Sequence, residues 1–381
     1  MKILYITPGC FDKGGISRYN RYQIQVLREM YGEASIRVLS LLGPDENSFE
    51  QAFDTFWHGN GVSLKDKTGL VGKMMSVAAG WRPDLVWVAH VNLSGVAYIA
   101  ARLSGARTVL NAYGLEIWSK MSKDAAWGLR KVNYIISDCY NTADYLIQRG
   151  IRKKEDIEVV WDCIDTGRFV PDAAVDMAVL SKYNIPDPRT HFTILSLGRL
   201  SKPDAFYKGY DRLLEVFSGL APRYPQLRLV FAGRGNYRVD LENMVREKGM
   251  QDRVSFTGSV SEEDLVAVYR SCHVFSLITQ SGEGKGEGIP LTPLEAMACG
   301  KPILVGNEDG SREAVVDNRN GFVLAPADLP SHAHIIEQYL NDPGLVKRQS
   351  GDAVLIAGEH FSYARFKERT AAFLDRKTGK R

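Results

Sequence analysis

Two glutamates, Glu287 and Glu295, stand with seven residues between them in the stretch Gly286-Glu287-Gly288-Ile289-Pro290-Leu291-Thr292-Pro293-Leu294-Glu295-Ala296-Met297-Ala298-Cys299-Gly300. The first lies in a glycine-rich loop and the second in the first turn of an expected helix. Such a loop brings bare backbone N–H groups to a ligand, and the helix N-terminus behind it favours negative charge. A carboxylate on either side can grip hydroxyl groups, so the combination suits a sugar attached to a nucleoside diphosphate. A plainer reading competes for each residue. Thr292-Pro293-Leu294-Glu295 also reads as a capping box with Thr292 as N-cap, closed by Gly300 at the far end. Glu287 also reads as a solvated loop residue.

Cations occur where a departing diphosphate would need them. Arg199, in Gly198-Arg199-Leu200, ends one expected strand, and Lys208-Gly209 opens the helix after it. Two cations at one strand end can neutralise a leaving diphosphate, although either alone is an ordinary surface charge. Gly233-Arg234-Gly235 is a weaker version of the same signal. Near the N-terminus, Lys13-Gly14-Gly15-Ile16-Ser17 follows the first strand and opens the first helix, the usual place for a phosphate-binding turn or for an unliganded tight turn. Tyr113-Gly114-Leu115-Glu116 ends another strand, as does His90, which reads as a structural histidine. No Asp-x-Asp pair, H-E-x-x-H motif or Cys/His cluster occurs, and neither glycine-rich segment completes a P-loop or dinucleotide fingerprint.

The elements that must position these residues alternate in a regular rhythm. Ile3–Ile6, Ile36–Leu42, Leu85–Ala89, Thr108–Ala112, Tyr134–Ser137 and Ile157–Val160 read as buried strands, with helical patterns such as Ser17–Tyr31 and Ala143–Arg149 between them. The rhythm pauses in a polar, proline-bearing stretch. It resumes with Phe192–Leu197, Leu227–Ala232, Val254–Thr257, Val274–Leu277 and Pro302–Val305, separated by helices such as Tyr210–Leu220 and Glu262–Arg270. This predicts an α/β protein of two doubly wound parallel sheets, each binding ligands outside its strands' carboxyl ends, facing a central cleft. The expected division is 1–170, a linker 171–190, a second domain 191–360, and an amphipathic helix over 361–381.

Bulk charge argues against nucleic acid, since the formal net charge of the 381 residues is only +3. Residues 1–170 carry 21 Lys and Arg against 18 Asp and Glu, so the excess is all in the first half. Two stretches there mix cations with Met and Trp. One holds Lys65, Lys67, Lys73, Met74, Met75, Trp81 and Arg82; the other holds Trp118, Lys120, Met121, Lys123, Trp127, Arg130 and Lys131. A basic amphipathic surface suits an anionic membrane, and solvated helices with core-facing Met and Trp are the alternative. The five cysteines form no C-x-x-C pair and sit beside apolar runs, as buried thiols of a reducing compartment do. No apolar run approaches the length of a membrane span. A cytoplasmic protein is expected, peripheral on the inner membrane face if the basic surface is used.

Together these pieces resemble glycosyltransferase family 4, the retaining nucleotide-sugar transferases of GT-B fold, over nearly the whole chain. Gly14-Gly15 matches the family's glycine loop, Val160–Phe169 its domain-joining segment, and Ile194–Arg199 with Lys208-Gly209 its diphosphate site. Val254–Val260 is similar to its nucleobase loop, Glu287 through Gly300 to its Glu-x7-Glu element, and the final helix to one that crosses back onto the N-terminal domain. The resemblance implies an N-terminal acceptor-binding domain and a C-terminal donor domain. It gives Glu295 the ribose hydroxyls, Glu287 the donor sugar, and Arg199 and Lys208 the leaving diphosphate. Gly14, Gly15, Tyr113, Val260 and the N–H groups of Gly288, Ile289 and Leu291 would line the donor. No metal and no cofactor is expected, and the implied reaction moves a hexose to a glycan or lipid-linked glycan in polysaccharide or lipopolysaccharide assembly. The sequence departs from the family where Tyr113 replaces a usual histidine, where Ser201–Tyr207 separates Arg199 from Lys208, and where Gly282–Gly286 lengthens the loop before Glu287. Two rivals stay open: a sugar-nucleotide epimerase of the same two-domain shape, and, through Tyr113, a non-catalytic sugar-nucleotide-binding protein.

Overall fold

The computed structural model describes residues 1–12, 14–44, 53–172, 174–282 and 284–379. Lys13 of the first glycine turn, Ala173 of the expected linker, Glu283 of the lengthened loop, and Lys380 and Arg381 of the C-terminal stretch lie outside the described residues.

The chain folds into two units, residues 1–163 with 363–381, and residues 164–362. The first contains the strands β1 (Ile3–Thr7), β2 (Ile36–Ser40), β3 (Trp57–His58), β4 (Leu85–Val88), β5 (Arg107–Ala112), β6 (Tyr134–Ser137) and β7 (Ile157–Val159). They pair in parallel in the order β3-β2-β1-β4-β5-β6-β7. Strands buried on both faces need apolar residues at every position rather than at alternate ones. Leu-Val-Trp-Val of β4 is such a run, fully buried. The second unit contains β8 (Phe192–Leu197), β9 (Leu227–Ala232), β10 (Val254–Gly258), β11 (Val274–Leu277), β12 (Ile303–Gly306) and β13 (Gly321–Leu324). These too are all parallel, in the order β10-β9-β8-β11-β12-β13. Both sheets therefore reverse direction beside their first strand, at β1/β4 and at β8/β11. Ligands in open α/β sheets bind at such a reversal, where the chain leaves two neighbouring strands in opposite directions.

The structure differs from the sequence expectation in three places. The edge strands β3 and β13 were not expected, because β3 has two residues and β13 opens on Gly321 with two half-buried positions. Gly321 has φ +148°, and a side chain there would strike the Ile303 carbonyl, so the glycine permits close strand approach. The stretch 171–190 is more than a linker. Met177–Lys182 is a helix capped by the Asp176 side chain, and Val179, Leu180, Tyr183 and Ile185 are buried within the second unit. The prolines and charges of this segment mask four apolar anchors. Finally, Phe361 ends a long helix, Pro343–Phe361, and the chain returns to the first unit only after the extended residue Ser362, with helix Tyr363–Thr378.

That last helix belongs to the core of the first unit. Phe366, Phe373 and Leu374 are buried among Tyr19, Trp87 and Val109. The ring of Phe373 meets Trp87 edge-on at 6.1 Å and Tyr134 at 6.2 Å. Lys367 and Tyr363 bind the Glu29 carboxylate at 2.7 and 2.9 Å. Phe373→Ala should therefore destabilise the first unit by about 3–5 kcal/mol, the usual cost of emptying a buried phenylalanine site. Calorimetric unfolding checks this, and an unchanged profile would remove the helix from the core.

Candidate functional site

The second unit gathers the candidate residues at its β8/β11 reversal. Gly198 follows β8, and a side chain on it would collide with the Tyr210 hydroxyl at 2.6 Å and come within 3.7 Å of the Lys208 ammonium. The glycine thus leaves room for Lys208 Nζ over the strand end. Ser201–Tyr207, the departure between Arg199 and Lys208, is largely helical: Lys202–Lys208 is a short helix closed by Gly209 in the left-handed conformation, φ +69°. Gly209 fits because any side chain would meet the Ile278 carbonyl, which follows β11, at 2.7 Å. The Gln280 N–H donates to the Tyr207 carbonyl at 2.7 Å, tying the loops after β8 and β11 together.

Across that seam Lys208 Nζ donates to Glu287 Oε1 at 2.6 Å. The lysine side chain is 10% exposed and the glutamate 23%, so the pair is largely shielded from water. Two candidates 79 residues apart in sequence are thereby brought into direct contact. Arg199 is exposed, two residues beyond the end of β8.

Glu287 is held from behind by a residue that the sequence reading missed. Asp309 is fully buried and accepts from the Glu287 N–H at 2.9 Å, the Thr279 hydroxyl at 2.9 Å and the Ser311 N–H at 3.0 Å. The Gly310 N–H returns a bond to the Glu287 carbonyl at 3.1 Å. One carboxylate of the loop after β12 thus holds both Thr279 and Glu287 of the connection that follows β11. Burial raises its pKa to about 6, against the lowering effect of its donors. With the folded value above the ordinary one, Asp309 favours folding most below about pH 4, and that contribution is lost as pH rises through about 6. The available signal was Asp309-Gly310-Ser311 just beyond a buried strand, an Asx-turn pattern.

Glu295 is 2% exposed, and its Oε2 accepts from the Tyr269 hydroxyl at 2.6 Å. The capping box is overturned. The helix is Leu291–Ala298, with Pro290 as N-cap and no side-chain cap bond. Pro290 is extended (φ −75°, ψ 139°), so the turn begins two residues earlier than expected. Pro293 fits inside the first turn because the N–H groups there have no partner within the helix. Gly300 does close the helix, with φ +72° and its N–H on the Met297 carbonyl. Gly288 and Ile289 are buried, Leu291 half-buried, and Val260 half-buried just beyond β10.

In the first unit, Gly14 is the N-cap of helix Gly15–Tyr31, after β1. Tyr113 departs from expectation. Its hydroxyl points into the core, donating to Asn20 Oδ1 at 2.7 Å and accepting from Asn111 Nδ2 at 2.8 Å. Tyr5, Gln23 and Trp87 extend this network, and Tyr19 packs edge-on against the Tyr113 ring at 5.2 Å. Burial raises the Tyr113 pKa well above the ordinary tyrosine value. The expected place of Tyr113 beside a donor sugar is thus corrected: its polar end is taken up by side-chain amides inside the sheet layer. Glu116, half-buried, accepts from the Tyr113 N–H at 2.7 Å and holds that turn. His90 is likewise structural, its Nδ1 accepting from the Asn92 N–H at 3.2 Å.

The basic stretches are corrected in part. Met74 is fully buried, and Met75, Trp81, Trp118 and Met121 pack against the core. Lys65, Lys67, Lys120, Lys123, Arg130 and Lys131 are exposed, while Lys73 lies half-buried over the Phe56 ring. Exposed apolar groups beside them include Val62, Leu64, at 78%, Phe56 and Trp127, at 41%. All five cysteines are free and buried. Among the described residues no helix is long and apolar enough to cross a membrane, and no group of three or more His, Cys, Asp or Glu is arranged to hold a metal ion.

Two family models match the chain: Glycosyltransferase Family 4 over residues 13–168 and Glycosyl transferases group 1 over residues 182–353. A GDP-mannose-dependent alpha-(1-6)-phosphatidylinositol monomannoside mannosyltransferase of Mycolicibacterium smegmatis is 26% identical over 340 residues, covering 86% of this chain and 84% of that protein. Among solved structures, HepE of Anabaena in complex with UDP superposes with a TM-score of 0.79 at 19% identity, over 99% of this chain and 100% of that one. The lipopolysaccharide outer core galactosyltransferase WaaB, in its apo form, gives a TM-score of 0.74 at 18% identity, over 99% and 100%. At these identities the structural likeness establishes the fold, two Rossmann-like units of GT-B type.

Tyr113→Phe should cost about 1–3 kcal/mol of stability, because two buried amides each lose a partner, while nucleotide-sugar affinity stays at the wild-type value. Lost affinity at unchanged stability, measured by calorimetry and denaturant unfolding, would return the hydroxyl to the ligand site.

Proposed function

We propose, for a chain that belongs to the family 4 glycosyltransferases of GT-B fold, transfer of a hexose from a nucleoside diphosphate to a glycan or lipid-linked glycan, with retention at the anomeric carbon and without a metal. The observation that carries this reading is the shielded Lys208–Glu287 pair at the β8/β11 reversal. An ammonium and a carboxylate side by side match the two ends of a sugar diphosphate. Lys208, joined by Arg199, takes the phosphate oxygens as charge develops on the leaving group, and Glu287 accepts from sugar hydroxyls. Preorganised charges of this kind stabilise the transition state without reorganisation. Glu295 holds the ribose hydroxyls, its carboxylate oriented by Tyr269. The N–H groups of Gly288, Ile289 and Leu291 line the phosphate and sugar, and Val260 the base. Asp309 positions Glu287 through its backbone.

Retention is what the family resemblance implies. Glu287, assigned to the sugar hydroxyls and paired with Lys208 in the ligand-free chain, favours, among retaining routes, departure of the diphosphate and attack by the acceptor on the same face over a covalent intermediate on Glu287. Metal independence is supported by the cations, which supply at Lys208 and Arg199 the positive charge that a metal would otherwise bring. The named relative is a GDP-mannose-dependent phosphatidylinositol monomannoside mannosyltransferase, and HepE is in complex with UDP. A GDP or UDP hexose is the donor class, and a lipid-linked glycan in surface-polysaccharide assembly the acceptor class. The protein then works at the inner membrane face, through Lys65 and Lys67 beside Leu64, and Lys120, Lys123, Arg130 and Lys131 beside Trp127.

Two experiments test the proposal. Glu295→Gln should weaken nucleotide-sugar binding at least tenfold, on the order of one charged hydrogen bond. Arg199→Ala or Lys208→Ala should lower turnover about a hundredfold, the product anomer should match the donor by NMR, and excess EDTA should leave the rate unchanged. Activity lost in EDTA and restored by magnesium would defeat the mechanism. Separately, reversing Lys120, Lys123, Arg130 and Lys131 to Glu should abolish sedimentation with anionic vesicles, each cation contributing about 1 kcal/mol. Equal sedimentation of wild type and variant would make these helices merely solvated.

A further inference from the structure

The second unit has another recess, at the opposite edge of its sheet. His273 directly precedes β11, and Lys301 lies just before β12, so both stand at the amino ends of the strands whose carboxyl ends lead to Glu287 and Asp309. They line a cavity of about 580 Å³ together with Arg270, Asp172, Asp176 and Ser350. That volume lies within the range of small-molecule sites, roughly 300–1,000 Å³.

The polar groups in it are unevenly spent. Asp176 is engaged in capping helix Met177–Lys182, accepting from the Ala178 and Val179 N–H groups at 3.1 Å. Asp172 accepts from the Ala174 N–H at 2.9 Å and pairs with Arg270 at 3.4 Å. The donors are less committed. Lys301 Nζ donates to the Arg270 carbonyl at 2.8 Å and has no carboxylate partner among the described residues. His273 Nδ1 accepts from the Thr193 N–H at 3.1 Å, which leaves the ring proton on Nε2. Burial lowers the pKa of this ring to about 4, so the neutral tautomer persists at neutral pH. The cavity therefore offers the Lys301 ammonium and an imidazole N–H as its least committed donors; its two guanidinium groups, Arg270 and Arg189, add positive charge but are already bonded, Arg270 to the Val170 carbonyl and Asp172, Arg189 to Asp187. That set selects an anion rich in acceptor oxygens, and the volume exceeds what a bare phosphate fills.

This recess is tied to Glu295 by two short paths. Tyr269, whose hydroxyl holds Glu295, is the residue before Arg270. The helix Leu291–Ala298, about 12 Å long at 1.5 Å per residue, carries Glu295 and ends just before Lys301. We infer that the cavity is a second ligand site of this unit, taking a phosphomonoester of a small polyol such as a hexose phosphate, and that its occupancy is transmitted to Glu295. The site stands on its own; the transmission rests on the proposed ribose role of Glu295.

Equilibrium dialysis of the full chain with labelled glucose 6-phosphate, with and without saturating GDP or UDP, tests this. Saturable binding should appear in both conditions, with none for glucose. Lys301→Gln should weaken it at least tenfold. Ser350→Phe, which fills the recess and keeps its cations, should abolish it, and Lys208→Gln should leave it intact. Melting curves establish that the variants are folded. Saturating glucose 6-phosphate should also change nucleotide-sugar affinity at least fivefold, the lower end of ordinary coupling. Absent binding, binding indifferent to both cavity variants, or binding lost with Lys208→Gln would overturn the site. Binding to phosphatidic acid vesicles without binding of the soluble phosphate would overturn it as a metabolite site. Binding that obeys the cavity variants but leaves nucleotide affinity unchanged would overturn the transmission alone. Because the nucleotide-free arm decides the site, failure of the donor reading is separately visible.

Discussion

A charge that has lost part of its water is best placed against one of opposite sign. Lys208 and Glu287, 10% and 23% exposed, meet at 2.6 Å, and removing either partner would leave the other charge uncompensated. Much of the second unit's local architecture serves that contact. Gly198 clears space over β8, Gly209 turns the chain against the β11 loop, and Asp309 fixes the Glu287 backbone. The pair also stores both charges in the ligand-free state, where a ligand carrying phosphate oxygens and hydroxyls can take over each partner's role.

Asp309 shows how a buried charge can organise loops. Three donors converge on it, two from the connection after β11 and one from its own turn, and its pKa still rises to about 6. Desolvation therefore outweighs the bonds, and the carboxylate is retained for geometry at some cost in stability. The first unit uses neutral groups instead. Tyr5, Asn20, Gln23, Asn111 and Tyr113 form a buried network of hydroxyls and amides between β1, β5 and the first helix. Such a network specifies packing where an aliphatic layer would allow alternatives. It also explains a tyrosine at the end of β5: a smaller ring there would not reach Asn20.

The glutamate spacing, the βα turn after β1 and the cations after β8 were all legible in the sequence, because each lies in the connection that follows a buried strand. The parallel sheets were legible too, since strands covered on both faces must be apolar throughout and reveal themselves as runs such as Leu85–Val88. Periodicity and local turn chemistry thus determined the class of fold and which strand ends carry polar groups. The edge strands β3 and β13 escaped because half-exposed pairs need no apolar run.

Tertiary structure decided which side chains meet. Lys208 and Glu287 are 79 residues apart, and their contact depends on β8 and β11 being neighbours, which no local pattern encodes. The direction of Tyr113 depended on two amides from other elements, and the helix start at Leu291 depended on an extended Pro290 that a capping pattern had outranked. Asp309 stayed hidden for the same reason: a carboxylate's burial and its donors are properties of converging loops. Local sequence carries backbone preference and side-chain polarity. The partner that satisfies a buried polar group comes from another part of the chain, and only the folded topology selects it.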